Sequence, residues 1–247
     1  MKHPFILFVA IAAITACTTQ PAKAQEVDYT SDEVINCDTA KYSRLIINSC
    51  LYHFQANTKP AGFAKYDEND TEKADSESER GFDYVPGLVA KAVLECVDYY
   101  QDSTWAKPWF YSIQAYAEKF YNQSHDGKSL DDLNACKMYF GLADLTKSGA
   151  KFENATVAEH CATAKTKALA GLQAHNPDYA ISSATSRAFC GDDTYTGGWF
   201  HKDTYKNQLW LDGQYRGPAL LAMMLTEGKN ISGSVDGDWT IIRKQFD

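Results

Sequence analysis

Apolar residues recur at helical spacing along most of this chain, and this pattern limits the possible folds more than any other feature. Three of the segments start at Pro or Ser, and one of these three stops at Gly, which are common helix boundaries. No stretch alternates apolar and polar residues over the length of a strand. The sequence therefore predicts an all-α domain. Seven segments carry the helical pattern: residues 40–55, 86–102, 108–123, 129–149, 154–177, 215–230 and 238–247.

The charge balance argues against one class of function. The 247 residues include 24 Lys and Arg against 32 Asp and Glu, which gives a net charge of −8. Proteins that bind duplex nucleic acid need a basic face, so no nucleic-acid partner is expected. Aromatic residues make up 13% of the chain, which suits packed helices and also platforms for sugar rings.

The first 24 residues have the plan of an export signal. A basic start is followed by an apolar run, which is too short to span a bilayer with margin, and by small residues before Cys17. The sequence ITAC at residues 14–17 resembles the bacterial lipobox, which predicts a lipid on Cys17. We then expect an exported bacterial protein, periplasmic or in the outer membrane, that touches the membrane only through its lipid. Cleavage after Ala24, which releases a soluble protein, is the alternative.

The remaining chain is divided by composition. Residues 25–36 are predicted to be a polar tether, and residues 37–247 to be the folded domain. Six cysteines in this part permit fifteen disulfide pairings in an exported protein. Buried thiols in helix cores are the other interpretation for Cys96, Cys136 and Cys161. The spacing of Cys and His is not that of a zinc site, so a zinc site is not expected.

Two carboxylates are predicted at the start of the segment SLDDLN, residues 129–134. Ser129 and Asp132 have the spacing of a capping box, and we interpret Asp132 as a cap. Asp131 also lies in the first turn, where free N–H groups and the helix dipole favour an ionised carboxylate. Because Asp132 already serves the cap, Asp131 is the candidate functional residue.

A third carboxylate, Asp212, follows the apolar pair Trp210 and Leu211 at the start of another predicted helix. Apolar neighbours raise the pKa of a carboxyl group by desolvation, and a raised pKa suits a general acid. The alternative interpretation is that Asp212 is an N-cap. One ionised acid and one protonated acid together would separate the base and acid roles of a reaction, which suggests carbohydrate chemistry.

Rings and cations precede Asp212 in the stretch GGWFHKDTY, residues 197–205. We expect the Gly-Gly pair to place His201 and Lys202 on a loop beside Tyr205, where they could bind an anionic sugar. The segment FDYVPG offers a similar combination, in which Asp83 is either a binding residue or a helix cap and Tyr84 supplies the ring.

Three segments together resemble a known family. GGWFHKDTYKNQLWLDGQY, SLDDLNACKMYFGL and FDYVPGLVAKAV are similar to motifs of the unsaturated rhamnogalacturonyl hydrolases, glycoside hydrolase family 105, which is related to the unsaturated glucuronyl hydrolases of family 88. The resemblance implies an (α/α)6 barrel. It also implies removal of a 4,5-unsaturated uronic acid from the non-reducing end of lyase-generated pectic oligosaccharides, without a cofactor.

The resemblance implies a role for each matched residue. Asp212 is the candidate general acid that protonates C4 of the vinyl ether, and Asp131 positions the substrate. The uronate subsite is formed by Asp83, Tyr84, His201, Lys202, Tyr205 and Trp210.

Two further expectations concern the whole chain. Trp239, Ile242 and Phe246 lie on one predicted helical face at the end of the chain, and the family's barrel continues beyond this point, so the resemblance implies an incomplete barrel with only its N-terminal half to two-thirds present. The alternatives to an unsaturated uronyl hydrolase are an oligosaccharide-binding lipoprotein with a degenerate or truncated site and an ordinary glycosidase with two carboxylates.

Overall fold

The computed structural model describes residues 43–47, 81–102, 104 and 106–246. Residues 43–47 are helical, as predicted for the segment that contains them. Predictions for Cys17, for the tether 25–36, and for Cys37 and Cys50 lie outside the described residues.

The described residues form an all-α structure, which confirms the predicted fold class. They contain no β-strand, and only two isolated bridges occur among them, Ser129 with Lys202 and Ala180 with Trp199. A short 3-10 helix spans Asp203–Tyr205. The α-helices are α1 (Tyr84–Tyr99), α2 (Ala106–Phe120), α3 (Leu130–Ala135), α4 (Met138–Thr146), α5 (Ala155–Asp178), α6 (Ser183–Cys190), α7 (Leu211–Thr226) and α8 (Val235–Arg243).

The described residues divide into two compact units. The first contains residues 43–47, 81 and 88–118. Its helices bury one apolar face each, as their spacing predicts. The buried residues include Val89, Val93 and Val97 of α1 and Trp109, Phe110 and Ile113 of α2.

The second unit contains residues 82–87 and 119–246 and holds all the candidate site residues that the structure describes. Helix α7 is at its centre and packs against α3, α5 and α8, while α4 packs along α5. Leu220, Leu221 and Met224 of α7 are fully buried, as are Leu130 and Leu133 of α3. These contacts fix the start of α7 close to the start of α3.

The predicted helix 129–149 is broken into α3 and α4. Ser129 is the N-cap of α3, as predicted, but its hydroxyl accepts from the amide of Asp131 at 3.2 Å rather than from Asp132. At the break, the Cys136 amide bonds the Leu133 carbonyl at 3.1 Å, and the Lys137 amide bonds the Asn134 carbonyl at 3.2 Å. These i→i+3 bonds tighten the backbone, which is why the apolar spacing continues while the α-helix does not.

Other boundaries also differ from the predicted ones. Helix α6 was not predicted, because its sequence is mostly small and polar. Helix α5 continues to Asp178 instead of ending before Pro177. Helix α7 begins at Leu211, four residues before the predicted start, and contains Pro218. Helix α8 ends at Arg243, so Phe246 lies beyond the helix on which it was predicted.

The described cysteines are mainly core residues. Cys96 and Cys136 are free and buried, and Cys161 is buried as well, which agrees with the core interpretation. Cys190 is free and exposed. No helix in the described part of the chain is both long and apolar enough to cross a membrane.

Candidate functional site

A short antiparallel contact between two distant segments brings the site together. The Leu130 amide donates to the His201 carbonyl at 3.0 Å, and the Asp203 amide donates to the Lys128 carbonyl at 2.9 Å. Ser129 and Lys202 form the bridge between these two bonds. The loop before α7 is thereby aligned with the start of α3, so Lys202 and His201 lie beside Asp131.

The buried side chain of His175 contacts the backbone of both segments. The Nδ1 of His175 lies 2.6 Å from the Gly127 carbonyl, and its Nε2 lies 3.1 Å from the Phe200 carbonyl. Burial lowers the pKa of His175, although both carbonyls act in the opposite direction. His175 thus connects the residues that precede α3 to the residues that precede His201.

Asp131 is buried and surrounded by cations. Its Oδ2 lies 3.2 Å from the Lys202 Nζ, and its Oδ1 contacts the guanidinium of Arg216. The same Oδ1 lies 3.2 Å from the Nε2 of His201. Two cations therefore contact this carboxylate at the start of α3.

Asp212 lies on the other side of the same guanidinium. Its Oδ2 is 2.7 Å from the Nη2 of Arg216, one helical turn further along α7. Its Oδ1 is 3.7 Å from the Nδ1 of His201. The Asp212 side chain is 47% exposed, whereas the Asp131 side chain is 11% exposed.

Two expectations about Asp212 are wrong. Trp210 is the N-cap residue of α7, so Asp212 lies inside the first turn and is not the cap. Leu211 does not shield the carboxylate from water, because it is itself 90% exposed. The helical turn that directs Asp212 towards Arg216 directs its neighbour Leu211 into solvent, since adjacent helix positions face different sides.

Arg216 is the residue that sequence reasoning missed. Its side chain is 10% exposed, contacts both carboxylates and bonds the Nε2 of His201 at 2.8 Å. Burial lowers the pKa of Arg216, while nearby Tyr84 and Asp83 raise it. The available signal was its position four residues after Asp212, the spacing at which an acid and a cation pair on a helix.

Burial favours the neutral form of His201. Its pKa is lowered by burial, opposed by Asp212 and reinforced by Lys202. Arg216 donates to Nε2, so the neutral ring carries its hydrogen on Nδ1, the nitrogen that faces Asp212. This Nδ1 is buried and has no hydrogen-bond partner among the described residues. His201 therefore separates the two carboxylates without adding a charge.

Three rings form a stack beside the carboxylates. The Trp210 ring lies 4.7 Å from the His201 ring and 4.6 Å from the Tyr205 ring, and both pairs are nearly parallel. Lys202 Nζ lies 4.8 Å from the centre of the Tyr205 ring. Trp210 is exposed while His201 is buried, so the Trp210 ring is the part of the stack that faces solvent.

The start of α1 adds the remaining predicted residues. The Tyr84 ring lies 4.2 Å from the Arg216 Cζ, in cation–π geometry. The Asp83 carboxylate accepts from the Tyr84 amide at 2.6 Å, and the Asp83 carbonyl accepts the amide of Gly87, which is the position of a helix cap. Asp132 is half-buried, and its pKa is raised by burial and by the charge of Asp83.

The site thus combines carboxylates, cations and rings on one surface of the second unit. It brings together all of the predicted site residues except Cys17, and it adds Arg216. Within the described residues, no group of three or more His, Cys, Asp or Glu side chains is arranged to hold a metal ion. Arg216 and Lys202 would bind an anion, while the carboxylates are suited to proton transfer.

Comparisons with protein-family models, with curated proteins and with solved structures found no match to this chain.

Proposed function

We propose that this protein is a hydrolase that removes a 4,5-unsaturated uronic acid from the non-reducing end of lyase-generated pectic oligosaccharides. The observation that carries the proposal is the cluster in which Asp131, Asp212, Lys202 and Arg216 meet beside the stacked Trp210 ring. The acids can transfer a proton to an acid-labile double bond, the fixed cations can bind the charge of the sugar, and the exposed ring can stack on the sugar ring.

The proposed reaction is hydration of the vinyl ether. Asp212 donates a proton to C4, and a water molecule adds at C5 and returns a proton to the Asp212 carboxylate. The resulting hemiketal opens by cleavage of its C5–O5 bond. The hemiacetal left at C1 then loses the remaining sugar chain as an alcohol, so each turnover consumes one water molecule. The half-exposed position of Asp212 supports its role, since the donor must reach both substrate and water.

Each neighbouring residue has a part in this proposal. Asp131, held ionised by two cations, orients the substrate hydroxyl groups as an acceptor. Trp210 and Tyr205 form the surface on which a sugar ring stacks. Tyr84 and Asp83 border the cluster near Arg216. His201 is buried, so it acts as a positioning residue that holds Arg216 and carries the stack.

The finer fold and the location of the protein belong to the same proposal. We propose that the helices are part of an (α/α)6 barrel, the fold that the sequence resemblance implies. We also propose export to the periplasm or outer membrane, with a lipid on Cys17. The all-α structure and the packing of α7 against α3, α5 and α8 support this proposal.

One observation favours a second candidate function. The Asp212 carboxylate forms a 2.7 Å ion pair with Arg216, so its oxygen is already engaged by a cation. A protein that uses this cluster only to bind a charged oligosaccharide would not need to protonate Asp212. The second candidate is therefore a surface-anchored oligosaccharide-binding lipoprotein without turnover.

The test uses the full chain and an unsaturated disaccharide produced by a pectic lyase. Turnover removes the ultraviolet absorbance of the conjugated uronate, and the matching saturated disaccharide should remain intact. Asp212→Asn should lower kcat by about 10²–10⁴-fold, because it removes the proton donor. Asp203→Asn is the matched control, since Asp203 is an exposed acid of the neighbouring turn, and it should retain the activity.

The outcomes separate the candidates. Loss of absorbance that depends on Asp212 supports the hydrolase. Binding of the disaccharide without any loss of absorbance supports the binding protein. Cleavage of the saturated disaccharide would indicate an ordinary glycosidase and would overturn the hydration mechanism.

A further inference from the structure

We propose that the carboxylate of a uronic acid binds Arg216 by displacing Asp212 from it, and that the displaced Asp212 takes up a proton from solvent. This inference deepens the proposed function and rests on it only in taking a uronate as the ligand. It assigns Arg216 as the residue that distinguishes acidic from neutral sugars.

The two carboxylates that hold Arg216 are not equally replaceable. Asp131 is buried and is also bound by Lys202 at 3.2 Å, so its removal would leave that cation without its buried partner. Asp212 is half-exposed, and its other contact is the Nδ1 of His201 at 3.7 Å, which is beyond hydrogen-bond distance. An incoming carboxylate therefore reaches Arg216 at the side that Asp212 occupies.

The geometry of the guanidinium fits this exchange. Nη1 is used by Asp131 and by the Nε2 of His201, whereas Nη2 faces Asp212. Tyr84 covers one face of the group, with its ring 4.2 Å from Cζ. The edge of the guanidinium that carries Nη2 is thus the part that a ligand can bind. A carboxylate fits this edge well, because its two oxygens can accept two parallel hydrogen bonds from an arginine.

The charges of the cluster explain why binding of a uronate is accompanied by uptake of a proton. Asp131 and Asp212 balance Lys202 and Arg216, and burial favours the neutral form of His201. Two more acids face the cluster, Asp83 from the start of α1 and Asp132 from α3. A bound uronate would add one uncompensated negative charge in a partly buried site, which is unfavourable.

Protonation of Asp212 restores the balance. After displacement Asp212 has lost its cation and lies beside the new anion, and both changes favour the carboxylic acid over the carboxylate. The proton comes from bulk solvent, and no bond other than O–H is formed. Binding of the substrate thus converts Asp212 into the proton donor that the hydration reaction needs. A neutral sugar leaves the Asp212–Arg216 pair intact, so Asp212 stays unprotonated.

The experiment measures proton uptake directly. The full chain is titrated with methyl galacturonoside, a saturated uronate that does not undergo hydration, in two buffers of different ionisation enthalpy. The dependence of the binding heat on the buffer gives the number of protons taken up. We expect a value approaching one proton per uronate bound, and a Kd that rises up to tenfold for each pH unit as that proton becomes harder to acquire. Methyl galactoside, the neutral control, should bind without proton uptake.

Three variants test the residue assignment. Asp212→Asn removes the competitor for Arg216, so it should bind the uronate at least as tightly, without proton uptake and with little pH dependence. Arg216→Gln should lose the preference for the uronate over the galactoside, and Arg216→Lys should retain part of it. Asp203→Asn is the control and should take up the proton as the unaltered chain does.

Three results would overturn the inference. These are uronate binding with no net proton uptake, uptake that persists in Asp212→Asn, and equal affinity for the uronate and the galactoside. None of these measurements requires turnover. If the unsaturated disaccharide is hydrolysed while proton uptake is absent, the proposed function stands and this inference fails. If proton uptake occurs without hydrolysis, this inference stands and the proposed function fails.

Discussion

The amide of Leu130 donates a 3.0 Å hydrogen bond to the carbonyl oxygen of His201. This bond joins the start of α3 to the loop before α7, two segments separated by about seventy residues. Asp131 follows Leu130, and Lys202 follows His201, so the two side chains meet across the contact at 3.2 Å. The candidate site depends on this backbone pairing, and the predictions below test its consequences.

Replacement of Asp131 should destabilise the fold. Asp131→Asn leaves Lys202 and Arg216 without a buried negative partner, and breaking a buried ion pair on one side costs about 3–5 kcal/mol. The measurement is the free energy of unfolding in urea. Asp144→Asn is the control, because the Asp144–Lys147 pair is exposed and should contribute less than about 1 kcal/mol. Equal effects of the two substitutions would contradict the buried position of Asp131.

Two glycines of α7 should respond in opposite ways to alanine. A Cβ on Gly217 would lie 2.9 Å from both Leu130 Cδ2 and Trp199 Cε3, so Gly217→Ala should cost about 1–3 kcal/mol by overpacking. A Cβ on Gly213 would meet its nearest atoms at 3.8 and 4.0 Å, and alanine is the better helix former. Gly213→Ala should therefore be neutral or stabilise by up to about 1 kcal/mol. Thermal unfolding of both variants is the measurement, and a stable Gly217→Ala variant would argue against the close packing of α7 on α3.

Stability should increase with pH in the acidic range, up to about pH 6.5. Burial lowers the pKa of His125, His175 and His201. In the unfolded chain these rings titrate near about 6.5, so between that pH and the lower folded values the unfolded state binds more protons. The stabilisation is present above about pH 6.5 and is lost as the pH falls below it, by at most about 1.4 kcal/mol per pH unit for each ring.

Urea unfolding at several pH values on both sides of about 6.5 measures this dependence. His175→Gln should reduce the slope, because it removes one of the buried rings. A slope of opposite sign, or one that His175→Gln leaves unchanged, would contradict the burial of this histidine.

The described thiols should differ strongly in reactivity. Burial raises the pKa of Cys96 to about 11 and raises that of Cys136 even further, so neither thiolate is populated at neutral pH. Cys190 is exposed, at the end of α6. Brief alkylation of the native protein, followed by peptide mapping, should label Cys190 and spare Cys96 and Cys136. Labelling after unfolding provides the control, and rapid native labelling of Cys136 would indicate that α3 opens.

The fold class was predictable because helical spacing is a local property. Each helix buries the apolar face that its own sequence defines, and a cap such as Ser129 acts within one turn. The break between α3 and α4 was not predictable in this way, because the apolar spacing continues through Cys136 and Lys137 while the hydrogen bonds change. Helix α6 has no apolar stripe long enough to predict it.

The site residues were predicted from sequence, but their relationships were not. The sequence by itself determined that most of the described segments are helical and that Asp131 lies in a first turn. Only the tertiary structure decided that one guanidinium, that of Arg216, joins these two carboxylates, and that Leu211 faces solvent. The physical reason is the range, along the sequence, over which each kind of interaction acts. Periodicity and capping act over a few residues, whereas the pairing of Leu130 with His201 depends on how α7 packs against α3 and α5.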